Sequence, residues 1–142
     1  DIYGCLDEYC NKNNIEYTDT SGNAIEVYVQ SSFWSLPNVL IIHLKRWNVN
    51  GRKNNALVTT PLSDLNLEKY VVGYNKKQYV YQLYGVCNHS GGAEGGHYTA
   101  SICNANERWY EINDTQIREI PCENVITSSA YVLFYRIMPQ GN

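Results

Sequence analysis

Three residues, His97, Asn113 and Asp114, have the types and spacing that general-base chemistry needs. They lie in the run GGHYTASICNANERWYEIND, Gly95 to Asp114, which reads as a tight β-hairpin. Asn104-Ala105-Asn106 supplies the turn, since Asn tolerates the left-handed backbone that three-residue hairpin loops require. With that loop Cys103 faces Glu107 and His97 faces Asn113, which brings an imidazole and a carboxamide within hydrogen-bond reach on one face, their Cβ atoms ~5 Å apart. A two-residue loop instead puts Asp114 opposite His97. Either register sets a base beside a group able to orient it. Taken alone, the hairpin is equally compatible with a hydrogen-bonded structural histidine.

Alternation along the hairpin assigns its faces. Tyr98, Ala100 and Ile102 share a side with Ile112, Tyr110 and Arg108 and read mostly as core material, whereas His97, Thr99 and Ser101 share the opposite, mostly polar side with Asn113, Glu111 and Trp109. The elements that position the hairpin follow from pattern. Residues 1 to 12 read as a short helix with Leu6, Tyr9 and Cys10 as its apolar positions, followed by a polar run from Asn11 to Asn23 rich in turn residues. Ala24 to Gln30 alternates as a strand, and Asn38 to Trp47 points Leu40, Ile42 and Leu44 at the core. Lys45 and Arg46 read as a solvated strand end, and Asn50-Gly51 marks a hairpin turn. A short helix is expected around Leu65 to Tyr70, a strand over Gln78 to Asn88, a glycine-rich loop over His89 to Gly96, and a turn or short helix over Pro121 to Thr127. Tyr131 to Ile137, apolar nearly throughout, suits a central strand covered on both faces. The expected class is α+β, mainly antiparallel β-sheet with few short helices.

Composition narrows the function. The 142 residues suit one domain, and thirteen tyrosines with three tryptophans favour a β-rich one. A net charge of −3 and no basic stripe argue against nucleic acid as a partner. No apolar run reaches the ~20 residues that span a bilayer, so no membrane partner is expected. Five cysteines without regular spacing, and without any CxxC pair, point to free thiols in a reducing compartment and to no metal or other cofactor.

Four blocks then carry a resemblance: SLPNVLIIHLKRW, YGVCNHSGGAEGGHYTASI, RWYEIND and AYVLFYRI occur in this order. They resemble the C-terminal half of ubiquitin-specific proteases, the papain-like cysteine deubiquitinases of peptidase family C19, from about Cys5 to Ile137. The resemblance implies the palm and reduced fingers of that protease fold. It implies thiol-dependent hydrolysis at the C-terminal Gly of ubiquitin, with ubiquitin or ubiquitinated proteins as partners. By position, His97 matches the catalytic histidine, Asn113 the orienting residue and Asp114 the neighbouring acid. Gly95, Gly96, Tyr98, Trp47 and His89 match the channel and loop that receive the substrate's Gly-Gly tail. The loop from Asn48 to Thr60 resembles a second gate.

Two departures from the family pattern shape the expectation. The box that carries the nucleophile, of the type Gly-Asn-Thr-Cys-Tyr, is absent from these residues, and none of the five cysteines replaces it well. Cys103, for instance, lies six residues along the strand from His97, roughly 20 Å away. Residues 1–142 are therefore expected to be a single partial domain whose nucleophile-bearing N-terminal half is the partner segment. The finger segment Asn11 to Phe33 lacks zinc-binding pairs. The alternative is a catalytically inactive ubiquitin-binding pseudoprotease or scaffold. Localisation is expected to be cytoplasmic, nuclear or both.

Overall fold

The computed structural model describes residues 1–139. Helix α1 (Ile2–Tyr9) starts where the Asp1 carboxylate accepts the Gly4 N–H at 2.7 Å, an N-cap that satisfies one of the free donors of the first turn. The helix anchors through Ile2, which is 1% exposed, while Tyr9, expected as a core position, is largely exposed and stacks on Phe33.

Strands β1 (Lys12–Thr18) and β2 (Ala24–Gln30) form a separate antiparallel ribbon. The polar composition of KNNIEYT hid β1 from sequence reading. Pairing decides it: Ile15 lies opposite Val27 and Tyr17 opposite Ile25, so the apolar residues of both strands share one face. Asp19 closes the connecting turn by accepting the N–H groups of Ser21 and Asn23.

The main sheet is antiparallel, with strand order β3 (Val39–His43), β9 (Ala130–Ile137), β5 (Val80–Gly91), β6 (Gly96–Cys103), β7 (Trp109–Asn113) and β8 (Gln116–Ile120). The short β4 (Leu65–Asn66) adds to β5 and is followed by a single 3-10 turn at Glu68–Tyr70, so the helix expected over Leu65 to Tyr70 forms only in its second half. β9 is central, as expected, but only one of its faces is sealed: Leu133 and Tyr135 are 0% exposed while Phe134 and Val132 remain half-buried. Leu65, Tyr81, Leu83 and Val86 complete the centre of the core. Tyr81 and Tyr135 keep their polar ends satisfied, Tyr81 donating to the Pro37 carbonyl and Tyr135 to the Pro61 carbonyl. Burial pushes both hydroxyls up to about 12.

Arg46 overturns the expectation of a solvated strand end. It is 4% exposed, and its guanidinium donates to the carbonyls of Ala130 (2.6 Å), Asn54 (2.9 Å) and Ala56 (2.9 Å). Arg46 continues the alternation of Leu40, Ile42 and Leu44, which aims it at the core side. Its fork straps the loop after Trp47 to the start of β9, and the turn at Asn50-Gly51 folds that loop so that Trp47 bridges Lys53.

β5 also exceeds its expected length. His89, Ser90 and Gly91 are strand, paired with Tyr98, His97 and Gly96, and the loop shrinks to the few residues between Gly91 and Gly96. Gly91 turns the corner at φ +109, where a Cβ would lie 2.7 Å from the Gly95 carbonyl oxygen.

Candidate active site

The β6–β7 ladder pairs Ala100 with Ile112 and Cys103 with Trp109. The loop is therefore Asn104 to Arg108, two residues longer than expected, and Glu107, not an asparagine, holds the left-handed position at φ +62. Asn104 and Asn106 serve instead as acceptors, their side chains taking the N–H groups of Ala105 and Arg108. Continuing this ladder sets Asn113 level with Thr99, so His97 and Asn113 are diagonal neighbours and not directly opposed. A register change of two residues preserves the face, which is why the two side chains still meet.

They meet closely. His97 Nε2 lies 2.7 Å from Asn113 Oδ1, and the Asp114 carboxylate lies 4.0 Å from the same nitrogen. Asp114 occupies the tight turn between β7 and β8 in left-handed conformation, φ +51, which holds its carboxylate to the side of the imidazole. The His97 side chain is 49% exposed and the Asp114 side chain 79%. The carboxamide oxygen accepts the Nε2 proton, so the neutral ring keeps its lone pair on Nδ1, free for an incoming proton.

The assignment of faces is reversed at the inner end of the hairpin. Ser101 and Trp109, on the His97 side, are 2% and 4% exposed, whereas Tyr98 and Ile102, expected in the core, are 56% and 38% exposed. Cys103 and Trp109 reach the core cluster, so this face carries the site at its outer end and packs at its inner one. Ser101 is accommodated there by Asn88, whose amide nitrogen is 3.4 Å from its hydroxyl.

On the other face of β6, around Tyr98, stands an aromatic row. The His89 ring is 4.7 Å from Tyr98, 5.6 Å from Tyr131 and 6.0 Å from Trp47, centre to centre. His89 is 5% exposed, and its Nδ1 is 2.9 Å from the Lys53 ammonium. Burial, and then the Lys53 charge, push its pKa below the ordinary imidazole value. Gly96 packs directly on this ring, where a Cβ would fall 2.3 Å from His89 Nε2, while a Cβ at Gly95 would meet nothing within 4 Å. Lys53 carried no signal in the sequence; its partner is 36 positions away.

None of the five cysteines hydrogen-bonds His97, and all are free thiols. Burial pushes the thiols of Cys10, Cys87 and Cys103 up, away from thiolate. Among the described residues no group of three or more His, Cys, Asp or Glu is placed to hold a metal ion, and no helix is long and apolar enough to cross a membrane.

Comparison with known proteins gives this arrangement a family. The description of that family as ubiquitin carboxyl-terminal hydrolase matches residues 3–135. Ubiquitin carboxyl-terminal hydrolase 8 of Arabidopsis thaliana is 42% identical over 107 residues, which are 72% of this chain and 12% of that protein. Ubiquitin carboxyl-terminal hydrolase 12 of Saccharomyces cerevisiae is 43% identical over 111 residues, 75% of this chain and 9% of the relative. This chain thus spans a small part of the relatives it matches. Among solved structures, the SAGA Ubp8/Sgf11/Sus1/Sgf73 DUB module bound to ubiquitin aldehyde has a chain of TM-score 0.81 and 28% identity, with 99% of this chain and 34% of that one covered. The module with Ubp8(S144N) and truncated Sgf11 reaches 0.82, also at 28% identity, covering 99% of this chain and 33% of that one. With its antiparallel architecture shared across the catalytic fold of these enzymes, the chain belongs to the ubiquitin carboxyl-terminal hydrolase family of cysteine deubiquitinases.

Proposed function

We propose that this chain is the base-bearing half of a deubiquitinase catalytic domain, which hydrolyses the bond after the C-terminal Gly of ubiquitin. The observation that carries the reading is the 2.7 Å contact between His97 Nε2 and Asn113 Oδ1 at an accessible end of the sheet. The nucleophilic thiol comes from outside these residues, in the N-terminal half of the same domain, because no cysteine here is bonded to His97.

In this reading His97 Nδ1 takes the thiol proton, and the thiolate attacks the carbonyl carbon of the terminal Gly. The tetrahedral intermediate collapses as the imidazolium returns that proton to the leaving amine, leaving a thioester. His97 next accepts a proton from water, whose hydroxide attacks the thioester and frees the ubiquitin carboxylate; the proton passes back to the thiolate. Asn113 holds the ring angle and tautomer throughout, and a neutral amide does so without competing for the proton. Asp114, farther off and more exposed, adds favourable potential for the imidazolium. Trp47 and Tyr98 wall the channel for the Gly-Gly tail, Gly95 and Gly96 form its floor, and His89 backs the wall. The free thiols fit a reducing compartment, the cytoplasm or nucleus.

The test is labelling of the full protein, including its nucleophile segment, with ubiquitin bearing a C-terminal electrophile. A covalent adduct is expected, and His97→Ala should abolish turnover. Ubiquitin binding without adduct formation would make the protein an inactive scaffold.

A further inference from the structure

Lys53 is a cation without a carboxylate partner among the described residues, yet it is held by two contacts to a single residue. Its ammonium lies 2.9 Å from His89 Nδ1 and donates to the His89 carbonyl at 2.5 Å. It also sits over the Trp47 ring, 5.9 Å from the centroid, on the loop strapped down by Arg46. An ammonium only donates, so His89 Nδ1 is an acceptor and the ring's proton sits on Nε2. That Nε2 edge rests against Gly96, immediately before His97, and the ring face lies 4.7 Å from Tyr98, immediately after it. Both chain neighbours of His97 therefore lean on one imidazole.

The geometry points to Lys53 and His89 as positioning residues: the ammonium sets the tautomer and angle of the His89 ring, and the ring braces the backbone on either side of His97. Burial disfavours the charged ring, in keeping with its bond to a cation. The loop after Trp47 and the hairpin that carries His97 are thereby joined through one ammonium, so displacement of the loop alters the base. This inference rests on the proposed deubiquitinase activity for its kinetic readout, and has a spectroscopic readout that does not.

The full protein, with its nucleophile segment, is assayed on ubiquitin carrying a fluorogenic C-terminal amide. Lys53→Met should lower kcat about tenfold or more while KM stays within about twofold, the signature of a misplaced catalytic group. Lys53→Arg, which keeps the donors, should recover at least about a third of the rate. His89→Gln should resemble Lys53→Met, and the double variant should be no more than about twofold below the worse single one, because the pair acts as a unit. In nitrogen-15 spectra of the imidazoles, His89 should show a bare Nδ1, and Lys53→Met should move the His97 signals. Wild-type kcat in Lys53→Met, a loss confined to KM, or fully additive losses would overturn the assignment. If Lys53→Met fails to fold, His89→Gln decides by the same kinetic criterion. If the wild-type protein neither turns over the amide nor labels with the electrophile, the functional proposal falls instead; unmoved His97 signals in Lys53→Met then sink the bracing role independently.

Discussion

Asn113 holds His97 from a diagonal position, one ladder step away from direct opposition, with Oδ1 and Nε2 2.7 Å apart. Diagonal partners on one face lie ~7 Å apart at Cβ, a gap an imidazole and a carboxamide close by leaning toward each other. Both Asn113 and Asp114 approach the same nitrogen, and they differ in distance and exposure.

That difference separates their contributions to turnover. Asn113→Ala should reduce kcat roughly 10²-fold or more, since the ring loses its tautomer and angle. Asp114→Asn should cost only about a few-fold, because its carboxylate stands 4.0 Å away and is well solvated. Steady-state kinetics of both variants on a ubiquitin amide check the ranking; an Asp114→Asn loss equal to that of Asn113→Ala would reverse it.

Gly96 and Gly95 should respond oppositely to alanine. A methyl at 96 falls 2.3 Å from His89 Nε2 and 2.5 Å from the Ser90 carbonyl oxygen, the latter part of the backbone and unable to step aside. Gly96→Ala should destabilise the domain by about 1–3 kcal/mol in urea unfolding. Gly95→Ala meets no atom and should stay within about 0.5 kcal/mol, with any effect appearing in KM.

Replacing Arg46 tests whether its fork or its charge matters. Arg46→Met strands the carbonyls of Ala130, Asn54 and Ala56 and should remove roughly 2–4 kcal/mol of stability. Arg46→Lys keeps the charge without the fork and should recover less than half of that loss. Full recovery by lysine in equilibrium denaturation would contradict a geometric role.

Acid should loosen the His89 region first. The groups facing its ring are Lys53 from the loop, Tyr98 from β6, Tyr131 from β9 and the Trp47 indole. Because the folded-state pKa lies below the ordinary 6.5, the unfolded chain binds the proton more readily. The associated stability is present above that ordinary value and is lost as pH falls beneath it toward the folded value. Urea midpoints measured between neutral and mildly acidic pH should decline, and His89→Gln should flatten that decline. An unchanged slope in the variant would assign the pH dependence to other groups.

Much of the fold was legible because strand alternation is a local property. Leu40, Ile42 and Leu44 aim inward as their spacing indicates, and the same phase foretold the inward course of Arg46, which charge alone disguised. β1 stayed hidden because KNNIEYT has few apolar residues and becomes a strand only through β2 opposite it.

His97 and Asn113 could be put on one face from sequence because side chains alternate with period two, and any even change of register leaves that relation intact. The loop length, and with it the diagonal geometry, depended on Glu107 entering left-handed space, a choice made by the whole ladder. Which face packs inward was likewise a tertiary outcome: Ser101 is buried, with Asn88 of the adjacent strand at its hydroxyl, and Ile102 is left partly open because cover, not hydrophobicity, sets exposure. The bond between Lys53 and His89 is the extreme case, since the two lie 36 positions apart and the chain between them must fold before either group can find the other. Local chemistry thus wrote the residue types and their periodicity into the chain, while contacts between distant segments, which no local pattern encodes, decided their distances.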